Sequence, residues 1–270
     1  MTNGMLPVER HREIVNRVEL AGSVRTVELA RALNVAEETI RRDLEKLDSA
    51  GRLVRIHGGA LRRNDDRREI PFDIREVENL GAKQALARTA LEHVNEGDVI
   101  ALDASSTVRE LARLIPDLPL TVITNSIAVT TVLLDRQRVR VISTGGTLDG
   151  PSLSYTGTLA EEALERYGIN RTFLSCTAFD VVRGLAVATE DHARIKRRMM
   201  QLAAETIVLA DASKFSAPGV EFFAAPGEVD VLITERGVEP ALLRVLKKAG
   251  VTVRQNDRRS GGPGTRSLNR

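Results

Sequence analysis

The chain has 270 residues, of which 42% are hydrophobic and 28% charged, and its formal net charge is +2. These are the values of a globular protein with room for a small domain beside a larger one. No run approaches the roughly 18 consecutive apolar residues that a membrane span needs, and the start lacks the basic and apolar segments of a secretory signal. We therefore expect a cytoplasmic protein with no membrane partner.

Cysteine and histidine usage narrows the chemistry further. The single cysteine, Cys176, excludes an internal disulfide, and it lies in the apolar stretch TFLSCTAFD. That setting favours a buried structural thiol over a nucleophile. Because the four histidines are scattered and there is no second cysteine, the sequence indicates no metal site, and we expect no cofactor.

The first sixty residues contain three helical periods, over 8–20, 26–33 and 37–47. Apolar stripes are predicted at Val27, Ala30 and Leu33 on the second helix and at Ile40, Leu44 and Leu47 on the third. The short segment Asn34-Val35 lies between these two helices, and Asn tolerates a left-handed backbone. Two short helices can therefore cross there as in a helix-turn-helix.

The outer face of the third helix is polar. Glu38, Arg42 and Glu45 are predicted opposite the buried stripe, with Arg41 and Lys46 on the flanks. Arginines there can read guanine edges or hold phosphates, and Glu38 can accept from a cytosine amino group. The alternative is a plain solvated helix face.

The residues that follow favour DNA binding. RLVRIHGGALRR predicts a short strand, a turn at Gly58-Gly59 and a basic return, as in the wing of a winged helix. Residues 41–63 hold seven Lys or Arg against three acids, Asp43, Glu45 and Asp48, so the local balance is basic.

The run VRTVELARALNVAEETIRRDLEKLDSAGRLVRIHGGA closely resembles the N-terminal signature of DeoR-type transcriptional regulators, in which TIRRDL and RxHGGA are diagnostic. The resemblance implies a winged helix-turn-helix over 6–61 that binds double-stranded operator DNA. Ala36 departs from the family, which usually has a capping Ser there; a lost cap costs about 1 kcal/mol. The DNA-binding residues that we predict from the face and the resemblance together are Glu38, Thr39, Arg41, Arg42, Lys46, Arg55 and His57.

A charged segment over 62–79, interrupted by Pro71, is predicted to link this domain to a larger one over 80–253. In the larger domain apolar strands such as VIALD, LTVITNS and RTFLSCTAF alternate with helical segments, among them 158–166 and 192–205. This alternation predicts an α/β fold with a parallel sheet covered on both faces. Ligands of such folds bind beyond the carboxyl ends of the strands.

Polar residues follow several of these strands, where they could form a phosphate site. A hydroxyl-rich turn that leads into a helix offers free N–H groups and the positive end of the helix dipole. The alternative is that these residues only cap helices, as Ser and Thr do in every α/β protein. The predicted effector-binding residues are Asp103, Ser105, Ser106, Thr107, Asn125, Ser126, Gly145, Gly146 and Lys214.

LTVITNS, STGGTL and ADASKF resemble the sugar-phosphate sensor domain of DeoR-type regulators, whose fold is similar to that of ribose-phosphate and glucosamine-phosphate isomerases. Where the family usually has Asp-x-Gly-Thr-Thr, residues 103–107 read Asp-Ala-Ser-Ser-Thr. With IPFDIRE and KRRMM, this variant resembles the branch that controls L-fucose or L-rhamnose use. The resemblance implies a 6-deoxyketose 1-phosphate ligand, L-fuculose or L-rhamnulose 1-phosphate, whose methyl group Phe179 or Leu185 could contact.

Residues 254–270 hold five Arg and one Asp, a charge of +4, so everything before them sums to −2. This segment has little to bury, and we predict a disordered basic tail. It is either plain solvated chain or a weak nonspecific contact to DNA.

Isomerisation of a sugar phosphate needs a positioned acid or base, and the one candidate cluster is His192 beside Glu190 and Asp191. TEDHARIKRRMM is more simply a helix start with acids at its positive end. We therefore expect a DNA-binding regulator of carbohydrate catabolism genes, not an enzyme, and a homo-oligomer because operators are usually symmetric or repeated. The alternatives are an isomerase-like enzyme with an appended DNA-binding domain, and a DNA-binding scaffold that needs no ligand. Whether the ligand induces or represses stays open.

Overall fold

The structure is a computed structural model that describes residues 6–50, 52–62 and 69–256. It divides into two compact units, Met1–Leu80 and Gly81–Arg270, and each is described by itself. Most of the predicted tail, at 257–270, and the linker residues 63–68 lie outside the described residues.

The first unit is a helical core with a small sheet. Its elements in chain order are α1 (Pro7–Ala21), β1 (Ser23–Arg25), α2 (Thr26–Leu33), α3 (Glu37–Ser49), β2 (Leu53–Ile56), β3 (Gly59–Arg62) and α4 (Phe72–Val77). The antiparallel strands have the order β1-β3-β2. The predicted helices and the β2–β3 wing are confirmed, whereas the three-residue strand β1 and the helix α4 within the predicted linker were not foreseen.

The core of this unit explains the turn between α2 and α3. Leu29, Ile40 and Leu44 are almost completely buried together. Asn34 ends α2 in the left-handed conformation with φ 50°, as predicted. The α2 stripe was wrong at Val27, which is 41% exposed, because the buried residues follow the period Thr26, Leu29, Ala30, Leu33 instead.

The second unit is built around a parallel sheet. Its strands are β4 (Val99–Leu102), β5 (Leu120–Thr124), β6 (Val139–Ser143), β7 (Thr147–Asp149), β8 (Ser154–Thr156), β9 (Ile169–Leu174), β10 (Ala178–Asp180), β11 (Gly184–Val187), β12 (Ala203–Leu209), β13 (Glu221–Ala224), β14 (Val231–Glu235) and β15 (Thr252–Asn256). Its helices are α5 (Leu80–Leu91), α6 (Ser106–Leu114), α7 (Ile127–Val132), α8 (Thr158–Leu164), α9 (Glu190–Leu202) and α10 (Pro240–Lys248).

Seven strands form the sheet in the order β15-β14-β12-β9-β4-β5-β6, and every neighbouring pair is parallel. Ile100 and Leu102 on β4 pack into one buried cluster, while Ala101 between them packs into the other. Both faces of the sheet are therefore covered, which confirms the predicted α/β fold.

The strand order reverses beside β4. The chain moves outward from β4 through β5 to β6, then returns to the other side of β4 with β9 and moves outward again through β12. Such a reversal opens a crevice at the carboxyl ends of the two central strands, where ligands of open α/β sheets bind.

Three predicted boundaries were wrong. The helix predicted over 192–205 is α9, Glu190–Leu202, and Ala203 already pairs with Ile169 in the sheet. The helix predicted over 158–166 ends at Leu164. RTFLSCTAF is not one strand, because β9 stops at Leu174 and β10 joins an antiparallel sheet with β11 and β13. In each case long-range pairing or packing decides where the element ends.

Strand β15 extends to Asn256, three residues into the segment predicted as tail. Of the helices within the described ranges, none combines the length and the apolar character that a membrane crossing requires.

Candidate DNA-binding surface and sensor site

The outward face of α3 carries the residues predicted from its period. Glu38, Arg41, Arg42 and Lys46 are exposed, and Thr39 is half-buried. The predicted orientation is therefore confirmed, while the contact of these residues with DNA stays a prediction.

The arginines on this face are held loosely. Arg41 lies 3.5 Å from Glu37 and 3.4 Å from Glu38, and Arg42 lies 3.5 Å from the same Glu38. Exposed pairs of this kind contribute little to stability, so exchanging the carboxylates for phosphates costs little.

A cleft of about 630 Å³ connects α3 with the wing. Arg41 lines it from α3, and Arg55 and His57 line it from β2 and the following turn. Both wing residues are exposed. The structure thus brings these three sequence-predicted residues to one surface.

Asp43, counted among the acids of this region in the sequence, is instead buried at 4% exposure. Its carboxylate accepts hydrogen bonds from Arg10 Nε at 2.5 Å and Nη2 at 3.2 Å, and His11 Nε2 lies 2.8 Å away. Burial would raise the pKa of Asp43, but the bonds from Arg10 and His11 outweigh it and hold the pKa below its usual value. Asp43 therefore joins α3 to α1, and the outer face is more basic than the sequence count suggested.

The N-terminus of α3 has no side-chain cap. Ala36 occupies the capping position with extended backbone angles, φ −65° and ψ 146°, and offers no side-chain oxygen to the first turn. The departure from a capping Ser noted in the sequence is thus a missing hydrogen bond in the structure.

In the second unit, Asp103 lies at the reversal of strand order. One carboxylate oxygen accepts from Ser105 N at 2.9 Å, and the other accepts from Ser175 N at 2.9 Å and from Lys196 Nζ. Lys196 also donates to Ser175 O at 3.0 Å. Asp103 therefore binds its own loop, the end of β9 and helix α9 at once.

Ser175 and Lys196 were not among the residues predicted for the site. Lys196 is 8% exposed and shares the buried face of α9 with His192 and Met199. A lysine at a position where the helical period calls for an apolar residue was the available signal, since lysine is rarely buried without a partner. Ser175 carried no comparable signal, because its role depends on a backbone N–H.

The predicted hydroxyls mostly cap helices. Ser105 Oγ accepts from Val108 N at 3.1 Å at the start of α6, and Ser126 Oγ accepts from Val129 N at 3.1 Å at the start of α7. Ser106 and Thr107 follow in the first turn of α6 and are buried. The capping alternative thus holds for Ser105 and Ser126, whose oxygens already have a donor.

Asn125, 1% exposed, lies at the end of β5. Its side-chain Nδ2 donates to Tyr155 O at 2.9 Å, whereas its Oδ1 is buried with no hydrogen-bond partner among the described residues. Asp211, at the end of β12, accepts from Ser213 N at 2.9 Å through Oδ1, and its Oδ2 is likewise buried and unpartnered in the described part of the chain.

Gly145 and Gly146 follow β6 and have φ 61° and 117°. A Cβ on Gly146 would lie 2.6 Å from Thr156 O and 2.9 Å from the Ala160 side chain. Gly146 lets the β7–β8 hairpin leave the sheet edge close to α8, so the structure shows a packing role for Gly146, whereas Gly145 has open space around it.

Lys214 lies on a short 3₁₀ turn, Ala212–Phe215, at the end of β12, and is half-buried. Its charge and that of Lys196 both act to lower the pKa of the Cys176 thiol, against the larger effect of burial. Burial raises the pKa of the Cys176 thiol to about 12, and the cysteine is buried, as the sequence predicted.

Phe179 and Leu185, suggested above for the methyl group of a sugar, are buried at 1% and 0% exposure. They face each other across β10 and β11, and Phe179 stacks on Phe215 with ring centroids 5.2 Å apart. Both residues are part of the apolar core, and their contact with a sugar methyl group stays a prediction.

Comparison with known proteins identifies both units. Residues 10–65 match the DeoR-like helix-turn-helix domain, and residues 78–236 match the DeoR C terminal sensor domain. The chain belongs to the DeoR family.

The relatives that match this chain over nearly their whole length are named as transcriptional regulators. An HTH-type transcriptional regulator of Bacillus subtilis (strain 168), itself described as uncharacterized, is 43% identical over 92% of this chain and 96% of its own. The L-fucose operon activator of Escherichia coli (strain K12) is 36% identical over 87% of this chain and 98% of its own. The present DeoR-family chain is thus a DNA-binding transcriptional regulator, not an enzyme.

The chain also has weak likeness to enzymes of known structure. Ribose 5-phosphate isomerase A of Methanocaldococcus jannaschii matches with a TM-score of 0.39 and 18% identity, over 51% of this chain and 55% of the isomerase. A likeness of this strength says nothing about function.

Proposed function

We propose that this regulator changes its affinity for operator DNA when a sugar phosphate binds at the carboxyl ends of β12, β9, β4 and β5. A 6-deoxyketose 1-phosphate, L-fuculose or L-rhamnulose 1-phosphate, is the ligand that we expect. To act as a signal, it must bind the DNA-competent and incompetent arrangements of the protein with different affinity.

The observation that carries this proposal is the pair of buried acceptors Asn125 Oδ1 and Asp211 Oδ2, unpartnered among the described residues. Burying such an oxygen without a donor costs roughly 1–3 kcal/mol, so native structures rarely keep one without a reason. Sugar hydroxyls are donors of the right kind. They would reach these acceptors from the crevice beside Asp103.

The phosphate would lie between Lys214 and the first turn of α6. Lys214 supplies a positive charge, and the turn at Ser106 and Thr107 supplies backbone N–H groups at the positive end of a helix dipole. Asp103 would then act on the site indirectly, since its oxygens already hold the loop, β9 and Lys196.

The choice of sugar depends on the residue types in the Asp103 loop and on relatives named for L-fucose. The operator-binding residues are those on the exposed face of α3 and in the wing, and a homo-oligomer would place two such surfaces on a symmetric site. The basic tail stays a candidate for additional nonspecific contact.

A thermal-shift panel of sugar 1- and 6-phosphates on the full chain tests the proposal. We expect a rise in melting temperature with L-fuculose or L-rhamnulose 1-phosphate that Lys214→Ala abolishes and that Lys248→Ala, an exposed lysine at the end of α10, preserves. A protein that needs no ligand would show no shift with any member of the panel. A shift that survives Lys214→Ala would place the ligand elsewhere.

A gel-shift titration with promoter DNA from the protein's own gene tests operator binding. Binding should weaken as salt rises, because contacts to phosphates release counterions. The active sugar phosphate should change the protein concentration at which half of the promoter DNA is bound. Absence of salt-sensitive binding would refute the operator-binding role of α3 in this chain.

A further inference from the structure

We propose that the β7–β8 hairpin is a cover over the sensor site and that the contact between Asp149 and His192 holds it shut. This proposal rests on the proposed function, because it gives the same site a means of ligand entry. It assigns to His192 a role beyond that of a residue in a simple helix start.

The residues at the centre of the site are closed off from solvent in the structure. Asp103, Thr107 and Asn125 are 1–3% exposed, although they lie at the sheet edge where a ligand is expected. A sugar phosphate is far larger than the gaps that remain in a close-packed interior. Something beside these residues must therefore move before a ligand can enter.

The hairpin lies directly on this edge. Tyr155 N donates to Asn125 O at 2.8 Å, and Ile127 N donates to Leu153 O at 2.9 Å. Tyr155 O also accepts from the Asn125 side chain, the same side chain whose Oδ1 lacks a partner among the described residues. The hairpin thus occupies one wall of the proposed ligand site.

A polar cluster joins the hairpin to α9. His192 Nε2 lies 3.3 Å from Asp149 Oδ2 and 3.4 Å from Ser154 Oγ. Ser152 Oγ donates to Asp149 and lies 2.6 Å from Ser154 Oγ. Both Ser residues are buried, and the hydrogen bond from His192 lowers the pKa of Asp149.

This cluster holds two elements together and is not arranged for catalysis. In a Ser-His-Asp relay the two ring nitrogens face different partners, one the carboxylate and the other the hydroxyl. Here the same nitrogen, Nε2, faces both Asp149 and Ser154. We call this contact between Asp149 and His192 the latch.

His192 of the latch and Lys196, which binds Asp103, lie on the same helix, α9. His192 and Lys196 are one turn apart on α9, so their side chains lie on one face. Lys196 binds Asp103 inside the site, while His192 binds the cover. A ligand that displaces Lys196 from Asp103 therefore acts on α9, the helix that also carries His192.

The hairpin is joined to the rest of the unit through residues that tolerate backbone change. Gly145 precedes it with φ 61°, and Gly157 follows it with φ 85°. A Cβ at Gly145 would meet no atom within 4 Å, and one at Gly157 would meet only the Thr147 side chain, at 3.4 Å. Glycine adopts these and other angles at low steric cost, so both ends can act as hinges.

Cys176 reports opening without any ligand, because Tyr155 of the hairpin packs against the buried cluster to which Cys176 belongs. It is the one cysteine in the sequence, it is 6% exposed, and it lies at the end of β9 beside Lys196 and Lys214. The experiment measures the rate at which a small thiol reagent, methyl methanethiosulfonate, labels Cys176 in the native full chain at fixed pH. Asp149→Asn and His192→Gln are the latch variants.

We expect both latch variants to be labelled about tenfold faster than the unaltered chain, because a charged hydrogen bond that holds a local closed state has been lost. Glu165→Gln is the matched control, since it removes an ion pair between the end of α8 and Arg198 on the outer side of α9. Its labelling rate should not change. Equal rates in the latch variants and the unaltered chain would overturn the proposal.

A second control separates local opening from general loss of stability. Ile207→Val leaves a small cavity in β12, within the other buried cluster, which contains neither Cys176 nor Tyr155 of the hairpin. If Ile207→Val, compared at the same distance below its own melting temperature, accelerates labelling as much as Asp149→Asn does, then global unfolding exposes Cys176 and the latch is refuted.

Adding L-fuculose 1-phosphate distinguishes this proposal from the proposed function. Faster labelling in the latch variants with no protection by any sugar phosphate would support the cover and contradict the sugar-phosphate sensor. Protection of Cys176 in the unaltered chain with no effect of the latch variants would support the sensor and overturn the cover.

Discussion

In the first unit the side chains that we assign to DNA contact are exposed, whereas in the second unit nearly all the residues that we assign to the ligand are buried. Arg41, Arg42 and Lys46 project from α3, held at most by carboxylates on the same turn of the helix. Asp103 and Asn125 are closed in by strands, α9 and a hairpin. A duplex can only be met by a surface that is already open, while a small ligand can be enclosed.

Each unit nevertheless contains one buried aspartate that joins separate elements. Asp43 is bound by the guanidinium of Arg10 and the ring of His11, so its charge is balanced by side chains. Asp103 is bound by two backbone N–H groups and one amine, Lys196. The first arrangement fixes two helices permanently; the second depends on one lysine that an anionic ligand could also attract.

The strongest test of this contrast is Asp43→Ala. Asp43→Ala removes the anionic partner of the buried Arg10 guanidinium, so we expect the free energy of unfolding of the first unit to fall by about 3–5 kcal/mol. Hydrogen exchange of α1 and α3 amides in urea measures it. Arg17→Ala, which breaks the half-buried Glu13–Arg17 pair on α1, should cost less, under about 1 kcal/mol.

An equal loss in the Arg17 and Asp43 variants would show that burial of the Asp43 pair is not what fixes the two helices. The contrast that we draw between Asp43, held by side chains, and Asp103, held by one lysine and two N–H groups, would then disappear.

Lowering the pH should gradually remove the stabilisation that the Asp43 carboxylate provides. The folded-state pKa of Asp43 lies below its usual 3.8, so the unfolded chain takes up this proton more readily than the folded one. The stabilisation by Asp43 is therefore complete above the unfolded pKa and is lost as the pH falls through the lower folded value. Urea unfolding between pH 6 and about pH 2, compared with Asp43→Asn, measures it; a difference between the two proteins that stays constant with pH would contradict the assignment.

Arg42→Ala tests the exposed side of the comparison. We expect operator affinity to fall by about 1–3 kcal/mol, because a contact to a base or phosphate is lost, while the stability of the sensor unit is unchanged. Gel shift at two salt concentrations and thermal shift with the active sugar phosphate are the measurements. Loss of both operator and ligand binding would indicate misfolding instead of a lost DNA contact.

The smallest expected effect is a gain from Ala36→Ser. The serine oxygen would accept from a free N–H in the first turn of α3, which should stabilise the first unit by about 0.5–1 kcal/mol. Ala36→Val, which offers no acceptor, is the control. A melting temperature that does not rise with Ser would mean that the first-turn N–H groups are already satisfied by water.

Local signals in the sequence predicted local structure well. The left-handed turn at Asn34, the outward face of α3 and the parallel sheet all follow from periodicity and residue type. The errors concern pairing between distant parts of the chain. β1 is a strand only because β3 lies beside it, and Ala203 leaves the helix only because Ile169 is its partner.

The candidate site shows the same division. The polar residues after β4, β5 and β12 could be named from the sequence, because the carboxyl ends of parallel strands share one edge. Ser175 and Lys196 could not be assigned roles, since what they contact is Asp103, far away in the chain. The hairpin that covers Asn125 was missed because β7 and β8 are only three residues long.

The return of the chain to β4 also sets an order of assembly during synthesis. Ile100 pairs with Arg171, and Lys196 comes later still, so the sensor site cannot form until most of the second unit has been made. The first unit is compact within residues 1–80, and domains nearer the N-terminus generally fold first. Each new molecule therefore passes through a period in which a DNA-binding headpiece exists without the part that would regulate it.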